Sequence, residues 1–303
     1  MSVLAIIAAL LLEQWRPLVE RRAYHAALAR WANLLESTFN AGESRHGRIA
    51  WALAVAPLVL GSLAIFYALY RMHPLLGLAC NVAALYVTLG FRQFSHSFTG
   101  IQLAVKSGDL DQARQLIGAW RGDSAQHRSK EEVIRLAVEE ALAASHRHVF
   151  AVLFWFMLMP GPSGAILYRL AGFLARRWSG QGAFGVFAKR VYDVMEWPAV
   201  RLTAIAFAVV GDFEDAVYCW RTQAASWPDR NLGIVLAAGA GAMGVRLGMP
   251  ISEANGLVEP RPELGMGESA DVAFLDSTVG LLWRSLVVWV FLLGLLSVAR
   301  IFS

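Results

Sequence analysis

Apolar residues run along this chain in long blocks rather than in alternation. Residues 49–70 (IAWALAVAPLVLGSLAIFYALY) hold no charge over 22 positions. A helix rising about 1.5 Å per residue crosses roughly 30 Å of bilayer hydrocarbon in that length, so the block predicts a transmembrane helix. Pro57 and Gly61 are tolerated inside it where neighbouring helices cover the freed backbone groups. Arg71-Met72-His73-Pro74 reads as a tight turn, and residues 75–91 as a second span with Asn81 facing protein. Residues 2–12 are apolar but too short to cross, and they lack the basic flank and small-residue cleavage site of a signal peptide. Residues 13–48 carry Arg16, Arg21, Arg22, Arg30, Arg45 and Arg48, with Leu18, Leu28, Trp31, Leu34 and Leu35 near helical spacing. That pattern predicts a helix with one apolar face, lying on a membrane or packed on the domain.

The pattern changes at residues 92–148, which hold most of the charge of the middle third. Asp109 predicts a helix start with Gln112 at its third position. Leu110, Ala113, Leu116, Ile117 and Trp120 line its inner face until Arg121-Gly122-Asp123 breaks it. Ser129-Lys-Glu-Glu132 is a capping box opening a second helix, with Val133, Ile134, Ala137, Val138, Ala141 and Leu142 inward and Glu139 and Glu140 facing elsewhere. Residues 149–159 and 163–174 are apolar again, separated by Pro160-Gly161-Pro162. Two prolines around a glycine do not fit a continuous helix, so this stretch predicts two short helices that enter the bilayer and turn back. Residues 198–211 and 232–244 read as half-length apolar helices, 250–279 as a Pro-, Gly- and acid-rich loop, and 280–303 as a final span entered at a snorkelling Arg284 and ending at a periplasmic Ser303. Gly211-Asp-Phe-Glu-Asp-Ala216 echoes Gly108-Asp-Leu-Asp-Gln-Ala113, as a duplicated unit would.

The segments are therefore 1–91 (N-terminal helix, surface helix and hairpin), 92–148 (cytoplasmic helical hairpin), 149–249 (broken or re-entrant helices with cytoplasmic loops), 250–279 and 280–303. The fold class is an all-α integral membrane protein with several transmembrane and broken or re-entrant helices plus a cytoplasmic helical hairpin. Composition agrees: 57% of the 303 residues are hydrophobic and 17% are charged, against about a quarter charged in soluble domains. The net charge of +4 lies largely in the segments read as cytoplasmic loops, and no dense basic run with interleaved aromatics points to nucleic acid. The expected setting is a bacterial inner membrane, multi-pass, with basic loops cytoplasmic, the bilayer as partner and an oligomer left open.

Charges in apolar segments are the first candidates for function. Arg201, four residues into such a segment, needs an anionic partner, which Asp193 or Glu196 would supply if it is not reserved for a phosphate or carboxylate ligand. Arg169 lies near the end of its segment. Asp109 and Asp111, and Asp212, Glu214 and Asp215, are helix-opening acids that complement the macrodipole or hold Mg²⁺. His146-Arg-His148 reads as a polar helix end at the membrane surface, since ligands at i and i+2 do not share a helix face. No metal spacing and no Walker-type loop is present in the sequence. Cys80 and Cys219 read as buried free thiols, with pairing left open.

Gly108-Asp-Leu-Asp-Gln-Ala-Arg114, VLFWFMLMPGPSGAILYRL (152–170) and FGVFAKRVYDVMEWPAVRL (184–202) occur in that order. In them the chain resembles the CobD/CbiB superfamily, whose type members amidate adenosylcobyric acid with an aminopropanol compound. The chain departs from the synthase pattern at Glu13-Gln-Trp-Arg-Pro17, Ala143-Ala-Ser-His-Arg-His148 and Gly172-Phe-Leu-Ala-Arg-Arg-Trp178. With Trp197-Pro-Ala-Val-Arg-Leu202 it looks closer to the AmpE-like branch, which is linked with cell-wall sensing. That resemblance implies a sensor of an anionic or lipid-linked envelope ligand, with no established cofactor, in a cavity floored by Pro160, Gly161 and Pro162 and edged by Arg201. The alternative it implies is a diverged ATP- and Mg²⁺-dependent amide-forming enzyme of cobalamin biosynthesis, with Asp109, Asp111, Glu139 and Glu140 as catalytic candidates beside Asp193 and Arg201.

Overall fold

A computed structural model describes residues 2–15, 21–40, 42–252 and 258–302. Arg16, Pro17, Leu18 and Ser303, and the side chains of Arg21 and Arg22, lie outside the described residues. Thirteen α-helices carry the described chain: α1 (Ser2–Trp15), α2 (Arg21–Phe39), α3 (Ser44–Met72), α4 (Pro74–Thr88), α5 (Phe91–Ser107), α6 (Leu110–Arg121), α7 (Lys130–Ser145), α8 (Ala151–Leu158), α9 (Ser163–Arg177), α10 (Gly182–Val210), α11 (Phe213–Gln223), α12 (Arg230–Met243) and α13 (Val272–Phe302). They fall into two compact units interleaved along the chain. One comprises Met1–Gly90, Ala151–Pro198 and Leu293–Ser303, the other Phe91–Phe150 and Ala199–Leu292.

By length and composition, Ser44–Met72, Pro74–Ser107, Lys130–Leu158 and Val272–Leu295 can cross a membrane. Only 17% of the apolar window of α3 is buried inside the protein, so lipid is the solvent that suits the remainder. The architecture is that of an all-α membrane protein.

In the first unit, small residues let helices approach closely, as is common in membranes. Ala32 and Leu35 of α2, Ala50, Ala54 and Val55 of α3, Leu170 and Leu174 of α9, and Trp178, Phe184 and Ala188 form one core. The Pro160–Pro162 break stands as the sequence predicts: α8 ends at Leu158, Gly161 takes φ +58°, and α9 starts at Ser163. The two helices pack together across the turn. A Cβ on Gly164 would lie 1.9 Å from the Trp155 carbonyl oxygen, so the turn closes only over a glycine. Trp155 Nε1 donates to the Met195 carbonyl at 3.2 Å and ties the hairpin to α10.

The helix feeding the break is longer than the sequence suggests. Instead of starting at 149, it runs on from α7 through a π-helical turn at His146–Phe150 into α8. His146 is therefore buried in mid-helix with Nδ1 2.9 Å from Thr203 Oγ1, and not at a polar helix end. Likewise 198–211 is no half-length helix. It is the second half of the 29-residue α10, which continues through Pro198 and includes residues expected in a loop. A proline removes one backbone bond, and helix formers on both sides outweigh that loss here.

The second unit carries the predicted caps. Asp109 accepts from the Gln112 amide, Gly122 closes α6 in the left-handed region, and Ser129 and Glu132 form the capping box of α7. Asp212 accepts from the Asp215 amide to open α11, so both Gly-Asp stretches start helices of similar length. The stretch expected as a loop over 250–279 holds structure instead. Strand β1 (Val245–Gly248) pairs antiparallel with β4 (Glu263–Leu264) and parallel with β5 (Glu268–Ser269). Strand β2 (Ile251–Ser252) pairs with β3 (Val258–Glu259), and α13 begins already at Val272. Strands of two to four residues leave too short an alternation to read from sequence.

Replacing Gly164 by alanine is expected to destabilise the protein by about 1–3 kcal/mol, because the obstructing atom is backbone and cannot rotate away. Gly100→Ala, whose Cβ meets only a Leu116 methyl at 3.5 Å, serves as the control. Thermal unfolding in detergent checks both, and equal midpoints for the two variants contradict the packing.

Candidate functional site

The site forms where α7 meets the short strands of the second unit. Lys130 to Ser145 is a capped helix whose buried positions include two charged groups, Arg135 and Glu139, each 3% exposed. A carboxylate removed from water this far needs every lone pair occupied. Glu139 Oε1 accepts from the Gly248 amide at 2.9 Å, and Oε2 accepts a short bond from Arg261 Nη2. Gly248 makes this approach at φ +70°, where an added Cβ would stand 1.9 Å from the Pro262 carbonyl oxygen. Arg135 donates to the Pro250 carbonyl at 2.9 Å, and Glu132 accepts from the Ser252 amide at 2.8 Å. One face of α7 thus pins residues 248–252 and 261 through three charged side chains.

A cavity of about 280 Å³ opens beside this contact, lined by Arg121, Glu139, Glu140, Arg147, Trp227 and Arg261 among others. Arg261 stacks over the Trp227 ring at 4.8 Å. Its side chain is 9% exposed, and its buried Nη1 has no hydrogen-bond partner among the described residues. A guanidinium with one arm on Glu139 and another unspent is built to take a further acceptor. Glu140 Oε1 holds Arg121 Nη1 at 3.0 Å, and Arg121 Nε reaches Asp123 at 3.2 Å. Arg128 closes the chain on Asp123 at 2.8 and 3.1 Å. Burial pushes the Asp123 carboxyl up, but hydrogen bonds and charge from Arg128 and Arg121 outweigh it and hold it below the ordinary carboxylate range.

Two of the four catalytic candidates meet here. Glu139 does not face away from the core, because the β1 region covers that side of α7 and brings it a cation. Asp109 and Asp111 do not join it. Asp109 is spent on the α6 cap and Asp111 pairs with Arg114 at 3.0 Å, a helix length of roughly 18 Å from Arg121. In the first unit, Asp193 binds Lys189 at 3.0 Å, Glu196 accepts from Tyr168 Oη at 2.5 Å, and Arg169 is half-buried on α9. Arg201 is half-buried on the second-unit part of α10. Both cysteines are free, and burial with the nearby Asp215 charge pushes Cys219 up to about 11. Arg121, Arg147, Trp227 and Arg261 escaped the sequence reading. The signal that marks Arg261 is Pro260-Arg-Pro262, two prolines that hold an arginine in extended backbone.

A family model described as CobD/Cbib protein matches residues 4–282. The chain belongs to the CobD/CbiB family. It is 36% identical to the cobalamin biosynthesis protein CobD of Stutzerimonas stutzeri, over 97% of both chains. With the protein of that name from Chromobacterium violaceum it shares 34% identity, over 95% of this chain and 94% of the relative. The Mycobacterium tuberculosis protein of the same name is 29% identical over 78% of both. No solved structure matches the chain. These relatives carry a cobalamin name, and they lend no support to the AmpE-like branch.

A magnesium ion, which the amide-forming reading brings with it, is not matched by the residues present. Among the described residues no three His, Cys, Asp or Glu side chains gather for a metal. Both Glu139 oxygens are already engaged. No step is therefore routed through a metal. The set of arginines around the cavity suits a phosphate or carboxylate instead.

Glu139→Gln is expected to cost about 3–5 kcal/mol by leaving Arg261 buried without its counter-charge, whereas Glu139→Leu with Arg261→Met regains most of that. Denaturant unfolding of the three proteins measures it, and equal stability of E139Q and wild type contradicts the pairing. Because Asp123 is held low, its contribution is full above the ordinary carboxylate range, about 3.9, and is lost as pH falls below it. The stability gap between wild type and Asp123→Asn is expected at pH 6 and to shrink as pH falls below the ordinary carboxylate range. A gap constant with pH contradicts it.

Proposed function

We propose that this protein forms an amide bond in cobalamin biosynthesis, joining the carboxyl group of a corrinoid acid such as adenosylcobyric acid to a small aminopropanol compound. Two things support the reading: the curated relatives' name, shared over nearly the full length of two of them, and the cavity on α7. The observation that carries the placement is Arg261, buried, anchored on Glu139 and with Nη1 left over. At about 280 Å³ the cavity sits at the low end of ligand pockets, the right scale for a small amine or one limb of a larger partner. Arg261 and Arg147 bind the anionic end of the ligand, Trp227 covers its carbon skeleton, and Glu140 takes up the proton that an ammonium sheds before its nitrogen attacks a carbonyl. ATP, the co-substrate this reaction class consumes, would transfer a phosphoryl group to the carboxylate with release of ADP, and the amine would displace phosphate from the acyl carbon as the amide forms. The setting is a bacterial inner membrane, a placement supported by the helices long and apolar enough to cross a bilayer and by the bacterial sources of the relatives.

Purified protein incubated with adenosylcobyric acid, ATP, Mg²⁺ and aminopropanol or its phosphate ester is expected to yield the amide, read by mass spectrometry. Arg147→Ala and Arg261→Lys are expected to lower kcat/KM by about 10- to 100-fold, the range of one or two charge-assisted hydrogen bonds. Arg30→Ala, on exposed α2, is expected to change nothing. No amide from folded wild type, or full activity in both cavity variants, overturns the proposal.

A further inference from the structure

The first unit carries a polar cavity that the proposed chemistry does not use. It measures about 480 Å³ and is lined by Asn33, Glu36, Ser37 and Asn40 of α2 and by Arg177 at the end of α9. The four α2 residues recur at spacings of three, one and three, so they share one helical face. Another side of α2 is spent on the core, where Ala32 and Leu35 are buried. Arg177 Nε and Nη2 both donate to Asn33 Oδ1, at 2.9 and 2.7 Å, which fixes the guanidinium against α2 and leaves Nη1 without a partner among the described residues. Glu36 follows Asn33 by three positions, a rise of about 4.5 Å on that face. Its carboxylate makes no hydrogen bond or ion pair among the described residues. An acid and an arginine thus line one cavity without closing on each other. Ser37 Oγ and Asn40 Oδ1 are already occupied, the first donating to the Leu34 carbonyl at 3.1 Å and the second accepting from the Gly42 amide at 3.2 Å.

The cavity stands beside the membrane entry of α3. Asn40 is four residues from Ser44, the first of α3, at most about 14 Å of chain, and the uncharged run begins at Ile49. Trp31 and Leu34 are 42% and 56% exposed on the adjoining side of α2. An indole at this level suits the boundary between headgroups and hydrocarbon. A separated cation and anion, each with bonding capacity left, match a ligand that carries the same two charges in reverse. We propose that this cavity binds the headgroup of an ethanolamine phospholipid, with the phosphate on Arg177 Nη1, the primary ammonium on Glu36 and the start of an acyl chain along Leu34 and Trp31. A choline headgroup carries its charge on a methylated nitrogen that cannot donate to Glu36, and a glycerol headgroup carries no cation. None of the five residues lines the cavity on α7, so the lipid binds whether or not the amide reading holds.

The test uses the full chain in detergent with phosphatidylethanolamine, phosphatidylcholine and phosphatidylglycerol of identical acyl chains at equal concentration. Native mass spectrometry counts the lipid retained. Wild type is expected to retain phosphatidylethanolamine about fivefold better than either of the others. Glu36→Gln, a change that keeps the side chain's shape, is expected to remove the preference over phosphatidylcholine. Arg177→Gln is expected to lower retention of phosphatidylethanolamine and phosphatidylglycerol about fivefold. Arg30→Gln, which takes a charge from the same helix outside the cavity, is expected to change neither. Equal retention of the three lipids by wild type overturns the proposal, as does an ethanolamine preference that survives Glu36→Gln. Binding of soluble O-phosphoethanolamine as tight as that of the lipid overturns the assignment to a membrane lipid.

Discussion

The charge on Glu139 is the constraint on which the second unit's site depends. A carboxylate this deeply buried is tolerable only with both oxygens occupied. One partner is a backbone amide and the other a guanidinium, and they come from the two ends of the segment that links β1 to β4. Satisfying a single side chain therefore fixes the path of the chain from Gly248 to Pro262, apart from the residues between that the structure does not describe. Arg261 is set over Trp227 as a result, and the cavity takes its wall. Arg135 and Glu132 repeat the arrangement one and two turns earlier along α7, so a ladder of charges adds to the buried apolar side chains Val245, Leu247, Ile251 and Leu264 in holding the strands.

Such a ladder suits a helix that changes solvent along its length. Lys130–Leu158 begins with charged positions and ends as AVLFWFML. The π-helical turn between the halves shifts the register of the helix face. It also places His146 against Thr203 of α10, a buried polar contact in an otherwise apolar layer. The charged half builds the cavity, and the apolar half feeds the Pro160–Pro162 hairpin of the other unit. One helix thus serves two packing environments, which is why neither of its halves reads as a complete element when taken alone.

Membership of the CobD/CbiB family fits a chain whose polar groups are concentrated rather than scattered. Arg121, Asp123, Arg128 and Glu140 form one chain of ion pairs and Glu139 with Arg261 a second, and Arg121, Glu139, Glu140 and Arg261 of the two line the same cavity. The positions that resemble the family most in sequence, Leu153-Phe154-Trp155 and Arg201-Leu202, lie outside both. The cavity residues, by contrast, sit in no conspicuous local motif.

What could be read directly was local. The span at 49–70 follows from an uninterrupted apolar run, whereas the one expected at 75–91 extends as Pro74–Ser107 into the segment read as a cytoplasmic hairpin; the starts of α6 and α7 follow from Asp109 and Ser129, and the break at Pro160 from backbone geometry that no context can repair. Each depends on residues within a few positions of one another. The burial of Glu139 did not show, because its partners lie 109 and 122 positions away and helical spacing alone places it off the apolar face. Nor did the passage of α10 through Pro198, where a local breaker is overruled by helix on both sides. The shifts in composition at 92 and 149 fall within two residues of two crossings between the compact units, at Phe91 and Ala151, but none marks the crossing at Ala199 inside α10. Sequence determines which segments seek lipid and where helices begin. Only the fold decides which charges are brought into the interior together, because a buried ion is stable solely beside the distant groups that replace its water.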